Sequence, residues 1–304
     1  MPRPVSSRRY LQLDVFAERA GAGNPLGVMF DATDFDAASM QAFAAWTNLS
    51  ETIFLMPPTS SAADYRVRIF TPRQELPFAG HPSVGAAWAA LEGGLVAKDK
   101  IALTQECGAG LLPVRIDRAG DARRVYVRAP RAREIPGATE EHAALVDAAI
   151  AGLARGRQAP ALWNNGPAWW VVELAGEADV RTMQPDLGAI AALTQASDAV
   201  GLAVFGRSGA GGHQLAVRAY CPADNIPEDP VTGSVNACIA ALLAQAHALP
   251  GAGGRYVASQ GRELGRDGVV LVEVDADGEV WIGGQVQCVI DGRVAWPLRS
   301  GAHA

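Results

Sequence analysis

Two long apolar segments dominate the pattern of hydrophobic and polar positions, one in each half of the chain. The spacing of the apolar residues over 83–93 and 235–244 predicts a buried helix at each place. Two prolines bar a helix before Val231, and residues 232–234 are of the types that commonly begin one. Because the first backbone N–H groups of a helix lack partners within it, each junction of loop and helix is either an anion site or a plain helix cap.

Shorter runs that alternate with a period of two residues, or that are wholly apolar, predict β-strands around both helices. In the first half these runs lie at residues 11–16, 26–30, 52–56, 65–70, 101–103, 111–116 and 124–127. In the second half they lie at residues 161–166, 168–173, 200–205, 214–220, 255–259, 269–274, 279–282 and 286–290. Sheets wrapped around one long helix in each half indicate an α+β fold rather than a doubly wound parallel sheet.

The two halves also share a sequence pattern at a fixed distance. An arginine at 68 and prolines at 72 and 77 match an arginine at 218 and prolines at 222 and 227, so that each offset is 150 (218 − 68 = 150). The repeat predicts two similar domains, residues 1–130 and 131–304, with the last strands able to cross back to the first domain. Two helix N-termini that face one cleft between these domains would hold a small anionic molecule from both sides.

Composition narrows the classes of function. The 304 residues, 49% of them hydrophobic, suffice for two domains with their own cores. A net charge of −6 and the lack of a basic run argue against nucleic acid as a partner, and no apolar run is long enough to cross a membrane. The arginines near the N-terminus are not followed by a long apolar segment, so we expect no signal peptide and a cytoplasmic protein.

The sequence gives little support for metal or cofactor chemistry. The four cysteines have no CxxC spacing and the five histidines form no HxH or HExxH pair, so no metal site is expected. The only lysines, Lys98 and Lys100, stand together in a hydrophilic turn, which does not suit a Schiff-base lysine. The glycines at 21 and 23 do not form a dinucleotide motif before a helix. We therefore expect chemistry without a cofactor.

Several polar residues at the ends of predicted elements are candidates for the site. Glu51 stands directly before the strand that begins at Thr52, and it is either an exposed charge at a strand edge or a proton carrier in the expected cleft. His81 either caps the following helix or helps to bind a ligand. Asp229, which precedes a proline, is either a turn residue or part of the site. Thr232 is expected to be an N-cap and nothing more.

Together these residues resemble the PhzF isomerase family, whose fold is that of diaminopimelate epimerase. The matching segments run in order along almost the whole chain, at residues 14–16, 23–26, 48–52, 70–72, 75–82, 228–234, 259–261 and 283–284. The resemblance implies that Glu51 is the general acid/base and that the protein forms a homodimer. It further implies roles in holding the substrate for His81, Asp229 and Ser234, with backbone N–H groups near Gly80, Gly233 and Ser234 on the substrate carboxylate.

Relatives of this fold that racemise or epimerise use two cysteines, one at each helix N-terminus. Here Gly80 and Asp229 stand near those places, while Cys221 precedes the second loop and Cys238 lies within the second helix. A two-thiol epimerase is therefore not expected.

The resulting hypothesis is an isomerase that moves one proton within a small unsaturated or α-acidic carboxylate, with Glu51, His81 and Asp229 as the catalytic candidates. A glutamate with a pKa of about 4.3 is a weak base, so burial would have to raise the pKa of Glu51 toward neutrality. The alternative is a non-catalytic binder of small carboxylates that uses the same cleft, and a third reading is a scaffold with a degenerate site. The identity of the substrate stays open.

Overall fold

The structure, a computed structural model, describes residues 7–119, 122–137, 139–150, 152–209, 211–224 and 226–297. The chain forms two compact units. Unit 1 comprises Met1–Gly21, Pro25–Val127 and Gly284–Ala304, and unit 2 comprises Ala22–Asn24 and Arg128–Gly283. The last segment of the chain thus belongs to the first unit.

The described residues form strands and helices in the order β1 (Ser7–Val15), β2 (Asn24–Met29), α1 (Ala37–Thr47), β3 (Glu51–Met56), β4 (Tyr65–Phe70), β5 (Glu75–Leu76), α2 (Gly80–Glu92), β6 (Ala102–Cys107), β7 (Gly110–Ala119), β8 (Ala122–Arg128), β9 (Arg133–Ile135), α3 (Glu140–Ala149), β10 (Ala161–Asn164), β11 (Ala168–Glu173), α4 (Glu177–Thr182), α5 (Leu187–Ser197), β12 (Gly201–Arg207), β13 (Leu215–Cys221), β14 (Ile226–Asp229), α6 (Gly233–Gln245), β15 (Arg255–Gln260), β16 (Gly268–Val274), β17 (Val280–Gly284) and β18 (Val286–Ala295). Within this described part of the chain, no helix combines the length and the apolar character that crossing a membrane requires.

In unit 1 the sheet surrounds α2. β1 pairs antiparallel with β18, β2 pairs parallel with β3, and β3 pairs antiparallel with β4. β4 pairs with β5 and β6, and β6, β7 and β8 form an antiparallel meander. Helix α2 contacts β1, β3, β4, β6 and β18. Ten of its 13 residues are buried, and many of them are alanines, so strands can approach the helix from several sides.

Unit 2 has the same plan around α6. β9, β10 and β11 pair antiparallel, β11 pairs parallel with β12, and β12 pairs antiparallel with β13. β13 pairs antiparallel with β14 and parallel with β15, and β15, β16 and β17 continue antiparallel. Nine of the 13 residues of α6 are buried. Helices α3 and α5 contact each other, and α5 covers β12 and β13.

The repeat seen in the sequence extends to single residues. Helices α1 and α5 each have 11 residues, an aspartate as N-cap and a C-cap residue in the left-handed conformation. The corresponding residues differ in number by 150 (186 − 36 and 198 − 48), and they are Asp36 with Asp186 and Asn48 with Asp198. The strand that follows each helix begins three residues later, at Glu51 in unit 1 and at Gly201 in unit 2. The predicted α+β class with two similar units is confirmed.

A bidentate ion pair recurs next to each central helix. Arg68 Nε and Nη2 lie 2.7 and 2.6 Å from the two carboxylate oxygens of Glu75. Arg218 Nε and Nη2 both lie 2.9 Å from the oxygens of Glu228. The ion pair connects β4 to β5 in unit 1 and β13 to β14 in unit 2. The loop that leads into each central helix is therefore held in a fixed position.

Gly201 has no room for a side chain, and this yields a test of the fold. A Cβ atom at Gly201 would lie 2.3 Å from the carbonyl oxygen of Tyr220 and 2.4 Å from a ring carbon of Trp169, whereas one at Gly209 would meet nothing within 4 Å. We expect Gly201→Ala to lower the free energy of unfolding by about 1–3 kcal/mol, because the backbone must shift. Gly209→Ala, the matched control, should stay within about 0.5 kcal/mol of the parent in urea denaturation. Equal stabilities of the two variants would contradict this account.

Candidate active site

The N-terminus of α2 begins earlier than predicted. The helix starts at Gly80 rather than at residue 83, so His81 is its second residue. Pro82 is compatible with this first turn, because a helix needs no N–H donor there and proline already has a helical φ. No side-chain hydrogen bond caps this end within the described residues. The turn that holds Gly80 and His81 therefore keeps backbone N–H groups available for an anion.

Glu51 and His81 meet at this helix end. Glu51 is the first residue of β3, a strand that α2 contacts. Its Oε2 atom lies 3.3 Å from Nε2 of His81, and the side chains are only 16% and 5% exposed. Glu51 is therefore not an exposed charge at a strand edge, and its role as a proton carrier stays a prediction.

The pair has the geometry of an ion pair, but burial leaves the imidazole neutral. Burial lowers the pKa of His81 to about 3, although a hydrogen bond to the backbone of Pro25 acts in the opposite direction. Because Nε2 faces Glu51, the bond to the Pro25 carbonyl falls to Nδ1, which therefore carries the single proton of the neutral ring. Nε2 then has no proton and can only accept a hydrogen bond. A hydrogen bond between the two residues consequently requires the carboxylic acid form of Glu51.

The N-terminus of α6 presents a different set of groups. The helix starts at Gly233, and Ser234 takes the position that His81 has in α2. The Ser234 hydroxyl accepts a hydrogen bond of 3.2 Å from the indole Nε1 of Trp169. Its carbonyl accepts one of 3.0 Å from Nδ2 of Asn165. Ser234 is thus held at both its side chain and its main chain.

Thr232 occupies the N-cap position of α6, but its side chain does not cap the helix, which corrects the sequence prediction. The hydroxyl donates a hydrogen bond of 2.5 Å to Oδ2 of Asp229 and accepts one of 2.9 Å from Nε2 of Gln260. An N-cap hydroxyl would accept a hydrogen bond from a backbone N–H of the first turn, whereas this oxygen accepts from Gln260 and its proton goes to Asp229, which orient it away from the helix end.

Asp229, the last residue of β14, belongs to a dense polar network. Its Oδ1 atom accepts a hydrogen bond of 3.0 Å from Nδ2 of Asn24, and its carbonyl accepts one of 3.1 Å from Gln260. Burial raises the pKa of Asp229 to about 6; the bonds from Thr232 and Asn24 lower it, and the charge of Glu228 raises it. Near neutral pH this carboxyl can therefore either hold or release a proton.

The six residues predicted for the site fall into two sets of three. Unit 1 brings together Glu51, Gly80 and His81, and unit 2 brings together Asp229, Gly233 and Ser234. The prediction that both sets face one cleft stays a prediction. Among residues 7–297, in the parts that the structure describes, no three His, Cys, Asp or Glu side chains are grouped as they would be around a metal ion.

Sequence reasoning missed four polar residues that hold these groups in place: Asn24, Asn165, Trp169 and Gln260. Two of them carried a signal. Asn24 lies in the matched segment 23–26, and Gln260 is the counterpart of Gln105 in the repeat. Trp169 lies in an apolar strand and has the pattern of a core residue, so its polar contact could not be foreseen.

The fold thus consists of two similar α+β units, each with a buried helix whose N-terminus is surrounded by polar groups. The chain matches the phenazine biosynthesis-like protein family, PhzC-PhzF, over residues 13–292. It is 32% identical to antisense-enhancing sequence 1 of Schizosaccharomyces pombe, over 95% of this chain and 99% of that protein. It is 34% identical to trans-2,3-dihydro-3-hydroxyanthranilate isomerase of Pseudomonas aeruginosa, over 89% and 92% of the two chains.

A solved structure shows the same fold. The PhzF-family phenazine biosynthesis protein of Bacillus anthracis superimposes with a TM-score of 0.81 at 23% identity, over 95% of this chain and 99% of that one. The chain therefore belongs to the PhzC-PhzF family, as the sequence segments indicated, and this family includes isomerases. The cytoplasmic location and the homodimer that the resemblance implies stay predictions.

The raised pKa of Asp229 predicts a dependence of stability on pH. A carboxyl whose pKa rises from 3.8 unfolded to about 6 folded stabilises the fold while protonated, and this contribution is lost as the pH rises through that window. Two pKa units correspond to about 3 kcal/mol, and we expect less because part of the Asp229 surface still meets solvent. In urea denaturation between about pH 4 and 6.5, the stability of the parent should therefore decline relative to that of Asp229→Asn, while the lowered pKa of His81 raises the stability of both proteins over the same range.

Thr232→Val is the matched change for this measurement. It removes the hydroxyl bond that lowers the pKa of Asp229, so the decline in stability relative to the same protein with Asp229→Asn should extend to higher pH. Parallel stability curves for the parent and Asp229→Asn across the same range would show that Asp229 titrates alike in the folded and unfolded states.

Proposed function

We propose that this protein is a cofactor-independent isomerase that moves one proton within a small carboxylate, with Glu51 as the general acid/base. The observation that carries the proposal is the 3.3 Å approach of Glu51 and the neutral His81 at the N-terminus of α2. A carboxyl group that can exchange a proton, beside backbone N–H groups that favour negative charge, is what such a reaction needs. Membership of a family that includes isomerases supports it further.

His81 is proposed to orient the carboxyl group of Glu51. Because its Nδ1 proton is committed to the carbonyl of Pro25, Nε2 remains an acceptor throughout. As a carboxylate, Glu51 removes a proton from one carbon of the substrate; while it holds this proton it can donate a hydrogen bond to Nε2, and it then returns the proton to another carbon. General acid–base help of this kind contributes roughly 10²–10⁴-fold to a rate, and orientation and fixed dipoles supply the remainder.

The substrate is proposed to be a small carboxylate with an acidic or unsaturated carbon next to the charge. Its carboxylate would lie against backbone N–H groups of Gly80, Gly233 and Ser234, at the first turns of α2 and α6. The dihydro-hydroxyanthranilate named for the Pseudomonas aeruginosa relative is the first compound to test.

Glu51→Gln is the direct test of this proposal. The amide keeps the size of the side chain but cannot take up or release a proton, so we expect turnover of trans-2,3-dihydro-3-hydroxyanthranilate to fall by at least 10²-fold. Glu141→Gln, an exposed change in the first turn of α3, should leave turnover at the level of the parent. Full activity of Glu51→Gln on a proven substrate would overturn the assignment of Glu51.

Exchange with heavy water separates a catalyst from a binder. In D₂O only an enzyme that removes a carbon-bound proton will place deuterium on the ligand, and mass spectrometry of the recovered compound measures it. We expect deuterium on carbon with the parent protein and none with Glu51→Gln. Binding without any exchange would favour the alternative function, a non-catalytic binder of small carboxylates.

A further inference from the structure

The internal repeat assigns a counterpart to each residue around Glu51. In unit 1, Leu26 of β2 is the parallel neighbour of Glu51 in β3. In unit 2, Trp169 of β11 is the parallel neighbour of Gly201 in β12. Since β3 and β12 begin at corresponding residues, Gly201 stands where Glu51 does and Trp169 stands where Leu26 does. Unit 2 therefore has a glycine in place of the proposed acid/base, with an indole in the neighbouring strand where unit 1 has a leucine.

The ring of Trp169 takes the space of the missing side chain. An added Cβ at Gly201 would lie 2.4 Å from a carbon of this ring. Trp169 is 3% exposed, and its Nε1 atom reaches the Ser234 hydroxyl at 3.2 Å. Ser234 is the counterpart of His81, because each is the second residue of its helix. The carboxyl–imidazole pair of unit 1 thus corresponds to an indole–hydroxyl pair in unit 2.

The chemistry of the two groups fixes the direction of this hydrogen bond. An indole N–H can only donate, whereas a hydroxyl has one proton and two lone pairs. Ser234 must therefore accept from Trp169, and its own proton remains to donate to another group. Asn165 also holds the main-chain carbonyl of Ser234 at 3.0 Å, so the residue is restrained on two sides. The hydroxyl is oriented as a donor, which suits an oxygen with negative charge.

We propose that Trp169 is a positioning residue for the ligand: it holds the Ser234 hydroxyl as an acceptor, so that Ser234 donates its proton to a carboxylate oxygen bound at the N-terminus of α6. This inference rests on the proposed function, in which Ser234 contacts the substrate. It adds a residue that acts through Ser234 and explains why unit 2 has no second acid/base at this position. The group recognised is a hydrogen-bond acceptor such as a carboxylate, and an ammonium group would be disfavoured.

A double-mutant cycle tests the proposal with anthranilate as the probe. The variants are Trp169→Phe, Ser234→Ala and the two combined, and calorimetry measures the Kd for anthranilate. A hydrogen bond to a charged group corresponds to about tenfold or more in Kd, so each single change should weaken binding by roughly that factor. Because Trp169 acts through Ser234, the double variant should bind about as weakly as Ser234→Ala alone.

Trp170→Phe is the matched control. Trp170 is the next residue in β11, is 2% exposed, and donates its indole N–H to the Ser197 hydroxyl at 2.8 Å. The change removes the same kind of bond in the same strand, so we expect the Kd to stay within about twofold of the parent. Parent-like binding by Trp169→Phe, or losses that multiply to about 100-fold in the double variant, would overturn the proposal.

A second measurement leaves Trp169 unchanged and covers the case in which its variant fails to fold. In ¹⁵N-labelled protein, one of the seven tryptophan indole resonances should move when Ser234 is changed to alanine, and in the parent the same resonance should respond to anthranilate. No movement of any indole resonance in Ser234→Ala would contradict the hydrogen bond itself.

This test is separable from that of the proposed function, because binding of anthranilate needs no proton transfer. The same coupling between Trp169 and Ser234 is expected in Glu51→Gln protein. If the two changes affect the Kd non-additively but the parent exchanges no deuterium, the proposed isomerase alone would be overturned. Glu51-dependent exchange without coupling would overturn the role of Trp169 alone.

Discussion

Each unit depends on the burial of one helix along most of its length, and that burial is possible only with small side chains. Helices α2 and α6 are buried at ten and nine of their 13 positions. Alanine and glycine allow the strands to come close, and Gly85 shows how little space remains, because a Cβ there would lie 2.3 Å from Leu26. A helix with no exposed face can meet a ligand only at its end. The fold thereby directs the chemistry to the first turns of α2 and α6.

The first backbone N–H groups of a buried helix need hydrogen-bond partners from outside the helix. In neither helix does a side chain cap the first turn within the described residues. At α6 the hydroxyl of Thr232, the natural cap, is bound to Asp229 instead. The network of Asn24, Asp229 and Gln260 thus holds the loop in place while leaving the helix end available to an anion.

Much of the fold could be predicted from the sequence because it follows local rules. The strand pattern, the two apolar helices and the offset of 150 residues all come from periodicity and repetition. Glu51, His81 and Asp229 could be singled out because a carboxylate or imidazole at the end of an apolar element has no packing reason to be there. The side chains that these three residues contact could not be predicted. Whether Thr232 caps a helix or bonds to Asp229 depends on the tertiary position of a carboxylate, which local sequence does not encode.

The difference between the two units is as informative as their similarity. At the same position of the repeat one unit has Glu51 with Leu26 beside it, and the other has Gly201 with Trp169 beside it. The two residue differences depend on each other, because the indole fills the volume that a side chain at 201 would need and its N–H reaches Ser234. A carboxylate could not be restored there by one substitution, since Trp169 and the carbonyl of Tyr220 leave no room for a Cβ. Packing alone therefore restricts a carboxylate at this position of the repeat to one unit, and in the other unit the same space holds an indole that is hydrogen-bonded to Ser234.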